Sequence, residues 1–283
     1  MKRIGLILLF AIAVAPLSYS QISKLEKSAL IDLYKATNGK HWNTSWNLKE
    51  DVSTWKGVTI ENDKVVALNL SMNNLEGQIP STINNLQHLK HLNLGFNKLS
   101  GSIPAEITTI ASLESIQLFM NQLSGSIPSN IGALTHLKKI VLFNNNLTGN
   151  IPESLYELTS LTILQLSSNQ LIGTISPKIK NLAKLKTLSL FDNSMFGVIP
   201  DEISNLTNLK ELALADNVFE GEIPDSLGKL TKLETLLLNN NKFIGSIDSS
   251  IKNLPMLTQL EFNNSNVGAK TNTTVSQTTF KPE

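Results

Sequence analysis

An elongated α/β solenoid is the fold that this sequence specifies. From Val65 to Met256 one 24-residue pattern runs eight times without an insertion or deletion, since 256 − 65 + 1 = 192 = 8 × 24. Within each copy, closely spaced apolar residues suited to a short strand lead into an asparagine and then a glycine. A period of this length marks units that bury their apolar faces on their neighbours. Ahead of the array stands a helical pattern followed by all three tryptophans of the chain, Trp42, Trp46 and Trp55. Its 283 residues have room for two ordinary domains, but an unbroken array makes one elongated body.

The N-terminus reads as a processing signal. Lys2 and Arg3 precede an apolar run from Ile4 to Ala15, and Pro16 to Ser20 supply small residues before Gln21. This order predicts a secretory signal peptide over residues 1–20, cleaved after Ser20, with an apolar run too short to span a membrane. Its removal takes Lys+Arg from 24 to 22 against 23 acidic residues, so a net charge of +1 becomes −1. No electrostatic case for nucleic acid remains. Cysteine is absent, which excludes disulfides, thiolate metal sites and a cysteine nucleophile. No later apolar stretch reaches the roughly 20 residues of a transmembrane anchor.

Residues 21–64 are expected to cap the array. Ser23-Lys24-Leu25-Glu26 spells a capping box, and Leu25, Ala29, Leu30, Leu33 and Tyr34 follow at helical spacing. A helix from about Lys24 to Thr37 follows, with Gly39 at its C′ position. Val58–Ile60 and Lys64–Ala67 then flank a turn at Asn62-Asp63, the start of a hairpin. The tryptophans have a structural reading, covering the open apolar end of the first rung, and a functional one, binding sugar or a partner.

In residues 65–256 each copy reads LxxLxLxxNxLxGxIPxxIxxLxx, a leucine-rich repeat. The LxxLxL segment predicts a strand with its leucines inward, and successive strands lie about 4.8 Å apart in a parallel sheet. The asparagine column, Asn73 to Asn241, is complete, as is the glycine column, Gly77 to Gly245. An amide both donates to and accepts from backbone that leaves the strand unpaired, and glycine permits positive φ or close approach. Proline follows the isoleucine in six copies, with Ser176 and Asp248 as exceptions. Leu257, Leu260 and Phe262 begin a degenerate terminal repeat over 257–268, and 269–283 reads as a polar flexible tail.

The LxGxIP extension after the asparagine resembles the plant-type subclass of leucine-rich repeats across residues 65–267. The cap is similar as well: Ala29-Leu30 and Leu33-Tyr34, then Trp55-Lys56-Gly57-Val58-Thr59, resemble the W-x-G-V-x segment ahead of the first repeat. Plant members bracket that segment with cysteines, where Ser53 and Ile60 stand here, which suits a secreted bacterial relative. The resemblance implies a right-handed superhelix with a concave parallel sheet, second short strands and 3₁₀ turns on its other sides. It includes receptor-kinase ectodomains and polygalacturonase inhibitors, and it implies binding on the concave sheet. It names no ligand.

Since consensus residues already have structural roles, recognition is expected in the variable columns. The two residues after each strand, from Ser71-Met72 to Asn239-Asn240, are expected to face outward on the concave sheet. Met72, Phe96, Phe119, Met120 and Phe143, with Val141 and Ile163 beside them and Phe191 further on, form an apolar strip that is the candidate ligand site. One reading has the phenylalanines packing along their own sheet. The other holds that a large exposed patch with aromatics and methionine marks an interface. Lys138, Lys139, Lys186 and Lys210 flank one edge, while Asp192, Asp216, Glu211, Glu234 and Glu261 gather toward the C-terminal end. This is a solvated face or a graded surface that orients a partner.

Chemistry finds little support. Asp192 and Asp216 share a column in adjacent rungs, near the carboxylate separation of retaining glycosidases, but an open sheet lacks an enclosing pocket. His41, His88, His91 and His136 show no metal-ligand spacing, and no Ser-His-Asp arrangement or phosphate loop occurs. The sequons at Asn43, Asn146, Asn205, Asn263 and Asn272 arise partly from the repeat itself. The expected function is therefore a secreted, cofactor-free, non-enzymatic monomer at the cell exterior or in the periplasm. Its expected partner is an extracellular protein or peptide, a secreted hydrolase included. A glycan-binding or adhesion role toward a cell-surface polysaccharide is the alternative. An ice-binding solenoid would need a threonine column that no outward position supplies.

Overall fold

The computed structural model describes residues 22–263. The expected signal peptide and the polar tail lie outside these described residues. The cap helix, α1, spans Lys24–Ala36 with both halves of its capping box made: the Glu26 amide donates to Ser23 Oγ at 3.1 Å, and the Ser23 amide donates to Glu26 Oε2 at 3.1 Å. The same carboxylate accepts the Val65 amide at 3.0 Å and so fastens the helix to the first strand of the array. The helix ends differently from the sequence expectation. Asn38 takes the left-handed conformation at φ 59°, a role asparagine fills at modest cost. Gly39 lies beneath the Tyr34 ring, where a Cβ would overlap it.

The three tryptophans are buried and form the cap's core. Trp46 stacks on Trp55 with centroids 4.8 Å apart and meets Trp42 edge-on at 4.9 Å. Each indole N–H is satisfied by backbone, Trp42 on the Thr37 carbonyl, Trp46 on Lys56 and Trp55 on Asn47. With their faces and donors occupied, they offer no platform to a sugar. The hairpin follows as the sequence indicates, Val58–Glu61 antiparallel to Lys64–Asn69, with Asn62 and Asp63 both at positive φ.

From Lys64–Asn69 onward the strands His91–Asn93, Ser115–Gln117, Lys139–Val141, Ile163–Gln165, Thr187–Ser189, Glu211–Ala213, Thr235–Leu237 and Gln259–Glu261 continue one sheet of ten strands, parallel throughout after the hairpin. Partners are 24 residues apart, as Leu164 pairs with Ile140 and Leu188, so one position of the repeat makes one column on the sheet. Inward columns such as Leu92, Ile116, Ile140 and Leu164 form the continuous core. On another side, short strands such as Asn146–Asn150 pair with a 22-residue offset, Leu147 opposite Gly125. 3₁₀ turns such as Glu153–Glu157 complete the rungs, and a last short helix, Ser249–Lys252, closes the eighth. Where proline is missing, a side chain caps instead: Ser176 Oγ accepts the Lys178 amide and Asp248 the Ser250 amide.

The asparagine column is a hydrogen-bonded ladder. Asn145 Oδ1 accepts the Leu123 amide of the preceding rung at 3.0 Å, while its Nδ2 donates to Leu118 O and Leu142 O, each at 3.0 Å. The pattern recurs at Asn97, Asn121, Asn169, Asn193, Asn217 and Asn241. Asn73 has no earlier rung, and its amide instead exchanges hydrogen bonds with the Thr44 backbone. The cap thus occupies the place of a preceding repeat.

Candidate binding surface on the concave sheet and its rim

The apolar residues singled out in the sequence divide between two surfaces. The residue just before each ladder asparagine has left-handed backbone in every copy: Met72, Phe96, Met120, Asn144, Ser168, Asp192, Asp216 and Asn240, with φ between 50° and 58°. This conformation turns the chain off the sheet and carries these side chains to its rim. Asparagine and aspartate accommodate it through their short polar side chains, whereas for other L-residues it costs about 1–2 kcal/mol. Three consecutive rungs nevertheless place Met, Phe and Met there. Met72 is 66 % exposed and Phe96 48 %.

These three side chains line a groove of about 540 Å³ with Asn43, Asn74, Lys98, Gln122 and Asn144. The cap holds the strained turn in place. Asn43 Nδ2 donates to Met72 O at 3.0 Å, its amide donates to Asn73 O at 3.0 Å, and Asn74 Nδ2 donates to His41 O. Asn43 was not anticipated as a lining residue. Nothing in the repeat pattern reveals that a cap loop reaches the rim of the array.

Phe119 and Phe143 remain on the concave sheet, stacked with centroids 5.0 Å apart and planes at 16°. The Phe119 ring also leans over Gly95, where a Cβ would overlap it. Both readings of the phenylalanines therefore hold in part, since these rings pack on one another and remain partly exposed. Val141, expected among the outward apolar residues, is only 3 % exposed. It is the last residue of its strand, in register between Gln117 and Gln165, and on an inward-curving sheet the side chains of neighbouring rungs close over such a position. Val141 thus supports the surface rather than presenting itself on it.

Phe191 belongs to a second hollow, of about 300 Å³, with Phe143, Gln165, Ser167, Ser189, Glu211, Ala213 and Leu237. Ser167 and Ser189 share a hydrogen bond at 2.6 Å across its floor. Burial pushes the Glu211 carboxyl above its ordinary value of 4.5. In sequence Ser167 is only one of the outward post-strand residues and Glu211 only part of the acidic group, while Gln165, Ser189, Ala213 and Leu237 share the column of Val141, whose exposure varies from rung to rung with the neighbouring side chains. Of the charged residues around it, Lys210 pairs with Glu234 at 2.6 Å and Lys138 with Glu114 at 2.8 Å, solvated contacts of small energetic weight. Asp216 accepts from Asn240 Nδ2 at 2.7 Å, so one of the two aligned aspartates is engaged in a structural contact.

Among the described residues no cluster of three or more His, Cys, Asp or Glu could hold a metal ion, and no helix is long and apolar enough to cross a membrane.

Comparison with known proteins agrees with this architecture. Leucine-rich-repeat family models match residues 63–123 and, as single repeats, 136–158, 160–182, 184–206, 208–230 and 232–254. No curated protein matches the sequence. Among solved structures, the ectodomain of the receptor kinase GASSHO1/SCHENGEN3 from Arabidopsis thaliana, in complex with CASPARIAN STRIP INTEGRITY FACTOR 2, aligns at 34 % identity and TM-score 0.80. That alignment covers 84 % of this chain and 29 % of the receptor's. The Arabidopsis HAESA ectodomain, in complex with an N-terminally extended IDA peptide hormone, aligns at 34 % identity and TM-score 0.77, covering 85 % and 41 %. A plant ice-binding protein shares the fold at 23 % identity and TM-score 0.55, covering 81 % and 90 %. The chain spans less than half the length of either receptor ectodomain. With the repeat models matching more than half of its residues, the chain belongs to the leucine-rich-repeat family.

Proposed function

We propose that this protein is a secreted, non-enzymatic binding module that takes a protein or peptide along the first rungs of its concave sheet and the adjoining rim. The observation that carries the reading is the row Met72, Phe96 and Met120, bulky apolar side chains in left-handed backbone. Folding gains nothing from this choice, because asparagine at the same positions relieves strain and exposes no apolar surface. Strain kept at exposed apolar residues is characteristic of binding sites. Phe119 and Phe143 extend the apolar surface onto the sheet. Two of the similar ectodomains are described in complex with peptide or protein factors, which supports the same class of partner here. A secreted hydrolase falls within that class.

The test is a double variant, Met72→Asn/Phe96→Asn, compared with the wild-type protein as an immobilised bait for the extracellular fraction of the source culture. Release of left-handed strain is expected to leave the variant at least as stable, by about 1 kcal/mol per site less any burial lost. Partner recovery is expected to fall at least tenfold. Equal recovery by both proteins removes the rim from the binding surface.

A further inference from the structure

We infer that the hollow between Phe143, Phe191 and Glu211 receives an arginine side chain from a protein partner. The inference rests on the peptide-binding reading and names the chemistry of one anchor.

A column of rings is interrupted there. Phe119 and Phe143 occupy the position after the strand in successive rungs, Phe191 occupies it two rungs beyond Phe143, and Ser167 stands between. Ser167 thus leaves open the place of one ring in a column whose neighbouring members stack at 5.0 Å. The floor is kept low by Ser167, Ser189 and Ala213, and the resulting volume of about 300 Å³ suits one long side chain.

Its chemistry selects the occupant. Glu211 is half-buried at one wall, and among the described residues neither a cation nor a hydrogen-bond donor meets its carboxylate. Lys210, its neighbour in sequence, is committed to Glu234. Gln165 and the paired serine hydroxyls add acceptors along the floor. Asp192, Asp216 and Glu261 lie toward the same end of the array. A guanidinium answers each of these features. It is planar and lies against aromatic faces, its five donors match a carboxylate with amide and hydroxyl acceptors, and its methylene stem packs on Phe191 and Leu237. An acidic group is repelled by Glu211. A neutral ring buries that carboxylate further without pairing it. An ammonium is more strongly hydrated and has fewer donors to share.

The experiment uses the mature protein and blocked glycine-serine hexapeptides carrying one arginine, citrulline, lysine or tyrosine, with binding followed by ligand-observed NMR titration. The arginine peptide is expected to bind at least tenfold more tightly than its neutral citrulline counterpart. E211Q should reduce it to the citrulline level. Ser167→Phe, which restores the missing ring, should block it, while Glu106→Gln, an exposed carboxylate outside the hollow, should leave it unchanged. Equal binding of arginine and citrulline peptides, undiminished binding to E211Q, or preference for the tyrosine peptide overturns the inference. If a protein partner is captured through the rim while E211Q retains it in full and ignores arginine, only the arginine anchor falls. If no peptide binds and no protein is captured, the peptide-binding reading falls with it.

Discussion

Replacing Asn145 by alanine tests whether the asparagine ladder holds adjacent rungs together. Its amide satisfies three backbone groups at 3.0 Å each: the Leu123 amide, the Leu118 carbonyl and the Leu142 carbonyl. All three belong to buried leucines, and the asparagine itself is only 8 % exposed, so water has little access once the amide is removed. The Leu123 amide loses this partner outright, whereas Leu118 O still accepts from Asn121 Nδ2 and Leu142 O from Asn169 Nδ2. The total is roughly 2–4 kcal/mol, from about 1–3 kcal/mol for the orphaned amide and about 0.5 kcal/mol for each weakened carbonyl. With an m-value of about 3 kcal/mol/M in urea, the unfolding midpoint should fall by roughly 0.7–1.3 M. The control is the preceding residue, Asn144, which is exposed and bonds no other rung through its side chain. Asn144→Ala loses only the tolerance of asparagine for φ 57°, worth about 1 kcal/mol. Asn145→Asp keeps the acceptor for Leu123 but sets a carboxylate against two carbonyls, so it should be no better than alanine. If Asn145→Ala shifts the midpoint no more than Asn144→Ala does, the ladder is not what couples the rungs.

Three further outcomes follow from particular contacts. Gly95→Ala places a methyl where the Phe119 ring lies and should displace that ring, costing about 1–2 kcal/mol and abolishing the mutual ring-current shifts of Phe119 and Phe143 in NMR spectra. Burial raises the Glu211 carboxyl above 4.5, so the folded state disfavours its charged form. The stability this group contributes is complete below the ordinary value and is lost as pH rises through the raised one. Glu211→Gln should therefore melt higher than wild type at pH 7, with the difference closing as pH falls toward 4.5; a constant difference across that range would contradict it. Glu26→Ala removes the acceptor for the buried Val65 amide as well as a helix cap and should cost about 2–4 kcal/mol. Glu26→Gln, which keeps an acceptor, should recover most of that loss in the same denaturation experiment.

Much of this architecture can be read from residue order. The capping box, the turn at Asn62-Asp63 and the one-per-rung asparagines depend on neighbours a few residues apart or on a fixed period, and the structure realises each of them. Less visible was how the candidate site divides. Phe96 and Phe119 look alike in sequence, yet one takes the left-handed turn that leaves the sheet and the other, one place earlier in its rung, stacks its ring on Phe143. In sequence Glu211 is only one of several acidic residues toward the C-terminal end. The hollow around it is built with Ser167 and Ser189 of preceding rungs and Leu237 of the next, and no local pattern expresses that.

What the sequence determined alone is the scaffold. Twenty-four residues per turn with leucines, asparagine and glycine at set places dictate which side chains point inward and which backbone groups need an amide, because these requirements recur identically in every rung. The tertiary structure decided the surface. It turned Met72, Phe96 and Met120 onto the rim, closed neighbouring rungs over Val141, and opened a hollow where Ser167 interrupts the rings. Those outcomes depend on the size and direction of side chains about 24 residues apart, which meet only when the rungs stack.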